Sequence, residues 1–170
     1  MIYQPKKDTK KASVTTVLMF GAGGTMYFIG ELVNSFRMFF QFSALILIAY
    51  GMMLMSRYLL TDHRYVISDI DSPGGEMSFS IIKVSGKREN VMANFDFSSV
   101  YAFEQVSLKE FEAKHGKVNK VYNYCQNYRP EKPYRMGINF NGMKVLFVIE
   151  ADEHLASEIR ARITPSVEAD

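Results

Sequence analysis

Two apolar runs, residues 12–30 and 38–56, constrain this chain more than any other feature. Each is 19 residues long and contains no acidic, basic or histidine side chain. As a helix, at about 1.5 Å per residue, each run reaches about 28 Å, close to the roughly 30 Å hydrocarbon core of a bilayer. The connecting residues 31–37 are too few to cross back, so the pattern predicts a two-span membrane hairpin over about 12–33 and 38–59, its outer ends leaving on one side. Lys6, Lys7, Lys10 and Lys11 precede the first run, and Arg57, His63 and Arg64 follow the second. Basic flanks of this kind favour the cytoplasmic face. The expected location is the cell (inner or plasma) membrane with both termini cytoplasmic, residues 1–11 forming a basic tail.

A cleaved signal peptide competes with this reading, because a basic start and the Gly21-Ala22-Gly23-Gly24 patch suit one. An immediate second span and a first run longer than a usual signal core argue against it. Neither run carries an ionisable group at mid-bilayer depth, which marks an anchor rather than an ion or proton pathway. Gly21, Gly23, Gly24 and Gly30 in the first run, and Ser43, Ala44, Ala49 and Gly51 in the second, let helix backbones approach and are the expected contact faces. Met52, Met53 and Met55 read as flexible apolar filler rather than copper ligands. Glu31 and Arg37, at the two ends of the turn, read as interfacial residues.

The net charge of +2 is unevenly held: residues 1–60 carry +4 and residues 61–170 carry −2. A nucleic-acid partner is therefore not expected of the second part, since such domains carry a strong positive excess. Cys125 is the single cysteine, so an intrachain disulfide and a cysteine zinc cluster are excluded. Its setting, Tyr124-Cys125-Gln126, shows no nucleophile signature, and a buried, inert thiol is expected.

The 110 residues of 61–170 suit one domain. Residues 64–68, 77–84, 91–97 and 100–106 are rich in β-formers and read as four successive strands in a meander, with a dense turn signal at 68–75. Residues 107–115 fit a short helix stopped by Gly116, and residues 118–124 resume extended patterning. Asn141-Gly142 between two β-rich runs is the strongest hairpin signal in the chain. Leu155, Ile159 and Ile163 fall four apart over residues 152–163, an amphipathic helix with acidic residues first and basic residues last.

Seven short antiparallel strands closed by a C-terminal helix, entered through Leu60-Thr61-Asp62-His63-Arg64-Tyr65-Val66-Ile67, resemble the bacterial PH-like (pleckstrin-homology-like) membrane proteins, in which two helices precede such a domain. The resemblance implies a membrane α-hairpin plus an α+β, seven-stranded antiparallel barrel or sandwich over 61–170. Eukaryotic lipid-binding PH domains carry basic residues around their first strand loop. Here that loop holds Asp69, Asp71 and Glu76, so phosphoinositide capture there is disfavoured. The chain also lacks the tryptophan usual in the eukaryotic helix.

His63, His115 and His154 sit in separate segments without ligand spacing, so no metal and no cofactor is expected, and His63 reads as part of a membrane-proximal surface. No nucleophile elbow, phosphate loop or catalytic constellation occurs, so catalytic residues are assigned to none. One patch stands out: Lys114, Lys117, Lys120, Arg129, Lys132 and Arg135 against Glu131, a local +5 interleaved with Tyr122, Tyr124, Tyr128 and Tyr134. Strand alternation explains part of it, with tyrosines packing and cations solvating. As a functional surface it fits a protein partner or anionic lipid. The leading expectation is a non-enzymatic, membrane-anchored adaptor that docks a protein or supports assembly of a membrane complex. An anionic-lipid sensor using 114–135 is the alternative, and a membrane-bound enzyme of unknown reaction comes third.

Overall fold

A computed structural model describes residues 1–68 and 77–163, with Asn34 described in its backbone alone. The turn expected at 68–75, and with it the acidic loop of Asp69, Asp71 and Glu76, lies outside the described residues beyond Ser68. The chain divides into two compact units: residues 7–61 with 127–129, and residues 1–6 with 62–126 and 130–170.

The first unit is helical. Helix α1 spans Lys10–Leu32 and α2 spans Arg37–Leu54, joined through a 3₁₀ turn at Asn34–Phe36 and extended by a π-helical turn at Met55–Leu59. Both helices are long and apolar enough to cross a membrane. Glycine sets how closely they pack. A Cβ on Gly23 would stand 2.8 Å from Ile48 Cγ1, and one on Gly30 would stand 3.1 Å from Phe40 Cβ. Gly21 and Gly24, expected on the same contact face, have nothing within 4 Å of that position. Hydroxyls in the helices return to their own backbone: Thr15, Thr25 and Ser43 donate to the carbonyls of Lys11, Gly21 and Phe39 at 2.8–2.9 Å. Such i−4 bonds satisfy a polar group where no water is at hand. Glu31 and Arg37 are more than two interfacial charges: Arg37 donates to Glu31 Oε1 at 2.8 Å, and Gln41 donates to the same oxygen at 2.9 Å, clamping the turn. At the far end Lys7 Nζ donates to the Leu59 and Thr61 carbonyls at 2.9 and 3.2 Å. A cation there completes carbonyls that the end of a helix leaves over.

The second unit is built from two four-stranded sheets. Strands β1 (Ile2–Tyr3), β2 (Thr61–Ser68), β3 (Ser78–Ser85) and β4 (Arg88–Asp96) follow in that order in the first. The second has the order β5 (Val100–Glu104), β7 (Tyr134–Phe140), β8 (Met143–Ile149), β6 (Lys120–Asn123). Helix α3 (Leu108–His115) follows β5, and α4 (Glu153–Arg162) ends the described chain. Three expectations are corrected here. The described strands number eight, in two open four-stranded sheets, rather than the seven of the expected antiparallel barrel or sandwich, and β6 runs parallel to β8. The four-strand meander stops at three, because the 3₁₀ turn Phe97–Ser99 carries the chain into the second sheet. The beginning of the basic tail is a strand: Ile2 pairs with Val66 and Tyr3 with Tyr65, and the Met1 ammonium donates to the Ile67 carbonyl at 2.6 Å.

Local chemistry explains the elements. Asn141 and Gly142 take φ of 49° and 78°, the double positive φ of a type I′ turn. Ser107 and Glu110 form a reciprocal capping box on α3, and Gly116 stops the helix at φ 82°. Asp152 accepts from the Leu155 N–H at the head of α4 at 2.7 Å. Leu155, Ala156 and Ile159 of α4 enter a core with Tyr65, Phe79, Phe103 and Met136. The opposite face of the second sheet is covered by Phe111 of α3, over Ala102, Val118 and Leu146. With both faces buried, residues 145–149 form a continuous apolar run instead of an alternating one.

Glu104, at the end of β5, holds Lys114 at 2.9 Å and His115 at 3.1 Å. Hydrogen bonding from Lys114, ahead of that from His115, lowers the Glu104 pKa despite opposing desolvation. A lowered native pKa adds stability above the unfolded value near 4.3 and loses it as pH falls through the native value. Glu104→Gln is therefore expected to reduce stability at neutral pH, with the difference from the parent closing under acid. Melting curves over pH 3–7 check this, and a constant difference across that range would refute it.

Candidate functional site

The inner faces of the two sheets part on the side of β4 and β6, leaving a cleft of about 500 Å³. Its position follows from the sheet orders, since β4 and β6 are the edge strands of their sheets. From β4 the cleft takes Met92, Ala93, Asn94 and Phe95. From β6 and its flanks it takes Asn119, Lys120, Tyr122 and Tyr124. Ile138 and Phe140 of β7, with Met143, Val145 and Phe147 of β8, complete the lining.

Aromatic rings make the floor. Phe147 stacks on Phe95 with centroids 5.4 Å apart and 12° between planes, and lies 5.5 Å from both Tyr122 and Tyr124. Tyr122 and Tyr124 stack on each other at 6.1 Å. Alternation places them together: Lys120 pairs with Val145 and Tyr122 with Phe147, so their side chains share the inner face of the sheet. At the mouth a bulge interrupts β4. Ile81 pairs with Ala93 while Ile82 pairs with Val91, so Met92 is the additional residue between them. Bulges break edge pairing and re-aim side chains, here beside the cleft. Met92, Phe140 and Met143 all remain exposed.

The polar groups are few. The Lys120 ammonium stands 5.1 Å from the Tyr122 ring centroid, and hydrogen bonding with that phenol raises its pKa. Burial, and then the Tyr122 charge, raises the Tyr124 pKa. Asn94 Oδ1 accepts from Ser80 Oγ at 3.1 Å, and Asn119 Oδ1 accepts from the Lys144 N–H at 3.0 Å. Among the described residues, an apolar floor, one cation and an open strand edge on either side can hold an extended apolar segment.

The ten residues of the expected basic and aromatic surface do not form one face. Lys120, Tyr122 and Tyr124 line the cleft. Lys114 is tied to Glu104, and Lys117 is exposed in the loop after α3. Tyr134 is buried, stacked on Phe103 at 4.8 Å. Arg135 donates to the Val106 carbonyl, and the Lys132 carbonyl accepts from Gln105. Tyr128 and Arg129 group with the helical unit. His63 is not a surface residue: it is buried, with its backbone N–H donating to Gln126 Oε1 at 2.6 Å. Cys125 is buried, its thiol 3.6 Å from the Val148 carbonyl. Met92, Phe95, Phe140, Met143 and Phe147 escaped the sequence reading. An apolar pair, Phe140 and Met143, flanking a hairpin turn was the available signal.

Two open four-stranded sheets, a C-terminal helix on their common core and an apolar cleft between edge strands make an α+β domain of PH-like type. The chain belongs to the family described as Bacterial PH-like domain (DUF6106), whose model matches residues 3–168. Comparison with curated proteins and with solved structures finds no match.

Proposed function

We propose that this chain is a two-span protein of the cell membrane with both termini in the cytoplasm, whose PH-like domain is a non-enzymatic adaptor docking a protein partner. The cleft carries this reading. Among the described residues its titratable lining is Lys120, Tyr122 and Tyr124, a set suited to holding an apolar segment. The occupant we favour is an extended stretch of the partner that adds to the edge of β4 or β6 and sets alternate side chains into the aromatic floor. Length and composition of α1 and α2 support the anchor, and the basic flanks support its orientation.

A photo-crosslinking amino acid at Met143 of the full chain, in its native membrane, tests the docking. The expected result is a discrete protein adduct that disappears with Tyr122→Ala and persists with Lys132→Gln. No adduct, or one indifferent to Tyr122→Ala, would overturn the role of the cleft.

A further inference from the structure

The lining of the cleft between β4 and β6 is ordered along its length. Because β6 runs parallel to β8, Lys120 stands beside Val145 and Tyr122 beside Phe147, with Tyr124 one step further on. The β7–β8 hairpin sets Phe140 opposite Met143 just before its turn, which brings these two exposed side chains to the Lys120 end. Phe95, stacked on Phe147, lies toward the Tyr124 end. One cation marks one end, and rings fill the other. We propose, taking the cleft as the docking site of a protein segment, that this segment pairs with β6, sets a carboxylate side chain opposite Lys120, and lays apolar side chains over Tyr122 and Tyr124 at the next two alternate positions.

The backbone of β6 supplies the register. Tyr124 N–H donates to the Val148 carbonyl at 2.8 Å. Alternate residues of a parallel ladder turn to the same neighbour, so Lys120, Tyr122 and Tyr124 face β8 while Val121 turns its N–H and C=O to the open edge. A guest strand bonded at Val121 has its flanking residues opposite Lys120 and Tyr122, their side chains on the cleft face. Lys120 is placed in advance: Asn119 N–H donates to the Lys144 carbonyl at 2.8 Å, and Asn119 Oδ1 accepts from the Lys144 N–H at 3.0 Å.

Charge selects the side chain. Among the described lining residues Lys120 is the one charged at neutral pH, and its electrostatic neighbour is the Tyr122 phenol rather than a carboxylate. Lys144 is committed elsewhere, donating to the His115 carbonyl at the end of α3. An apolar guest would cover the Lys120 ammonium without a counter-charge, whereas a carboxylate on the facing strand pairs with it. Across the cleft β4 is broken at Met92 and carries Glu89 and Asp96 against Arg88, which favours β6 as the edge for an acidic guest.

The test uses the full chain in phosphatidylcholine nanodiscs and labelled heptapeptides, with binding read by fluorescence anisotropy. Ser-Leu-Thr-Leu-Thr-Glu-Ser and its reverse, Ser-Glu-Thr-Leu-Thr-Leu-Ser, offer the pattern to antiparallel and parallel pairing. At least one is expected to bind about threefold or more tighter than its glutamine counterpart. Lys120→Arg should keep that preference, Lys120→Gln should remove it, and Lys120→Glu should transfer it to the counterpart with lysine in place of glutamate. Equal binding of the glutamate and glutamine peptides, or a preference unmoved in Lys120→Gln, would overturn the carboxylate partner. Failure of every peptide beside a Met143 adduct that Tyr122→Ala abolishes would overturn the pattern and leave the docking, whereas failure of peptides and adduct together defeats both. Displacement of the peptide by phosphatidylglycerol vesicles alone would make the occupant an anionic lipid, and a Met143 adduct joining two copies of this chain would make it a second copy; either overturns the proposal.

Discussion

Gly137→Ala is expected to destabilise the PH-like domain by about 2–3 kcal/mol, and Gly137→Val by more, which for a domain of this size lowers the melting temperature by about 10 °C. Gly137 lies within β7, opposite Leu146 of β8, where a side chain would ordinarily favour the strand. It is glycine because two rings lie across the backbone. A Cβ would stand 2.5 Å from Cζ of Tyr101 and 2.8 Å from Cζ of Phe111. Neither ring can retreat easily, since Phe111 is fully buried and ring centroids of Tyr101 and His115 lie 6.2 and 4.8 Å from its own. The damage should begin at α3, with faster amide exchange over Leu108–His115 than over α4. Gly21→Ala is the control, because nothing lies within 4 Å of its added carbon. A melting temperature unchanged in Gly137→Ala would mean that α3 is free to lift from the sheet.

The parts of this architecture that sequence makes legible are those whose cause is local. The hairpin at Asn141-Gly142, the Ser107 cap with its Gly116 stop, and the α4 stripe of Leu155 and Ile159 each declare themselves within a few residues. Strand β1 does not, because two residues carry no period and Ile2 finds Val66 only through the folded sheet. The parallel placement of β6 is equally silent: residues 118–124 look extended whichever way their partner runs. The transfer between sheets at Phe97–Ser99 reads locally as an ordinary turn. The cleft follows the same rule. Alternation along β6 tells that Lys120, Tyr122 and Tyr124 share a face, but not that Phe95 and Met92 of a distant strand stand opposite. A basic run along the chain is likewise no surface, because the fold sends Tyr134 inward, ties Lys114 to Glu104, and leaves Tyr128 and Arg129 with the helices.

Tyr65→Phe removes one oxygen and is expected to cost about 1–3 kcal/mol, because that oxygen serves two backbone groups, one buried and one partly buried. The Tyr65 hydroxyl donates to the Tyr124 carbonyl at 3.0 Å and accepts from the Glu150 N–H at 3.2 Å. A residue of the first sheet thus fixes the chain just beyond β6 and just beyond β8, the two strands that carry the aromatic floor of the cleft. Its ring is buried between Tyr3 and Phe79, each centroid 6.1 Å away, so phenylalanine fills the same space and the loss is confined to the hydroxyl. The amide of Glu150 should then exchange faster while those of β3 keep their protection. Alkali gives an independent reading. Burial, above all, holds the Tyr65 pKa well above the ordinary phenol value. A raised native pKa contributes stability that is complete below the unfolded value near 10 and declines as pH climbs through the native one. The parent should therefore lose stability above about pH 10, and Tyr65→Phe should make that decline shallower by about 1.4 kcal/mol per pH unit, one proton's worth. Tyr3, Tyr101 and Tyr124, their pKa values raised chiefly by burial, sustain the remainder of the slope in the variant. Identical alkaline slopes in parent and variant would show that the Tyr65 phenol ionises in place, and that the bridge it makes between the sheets is open to water.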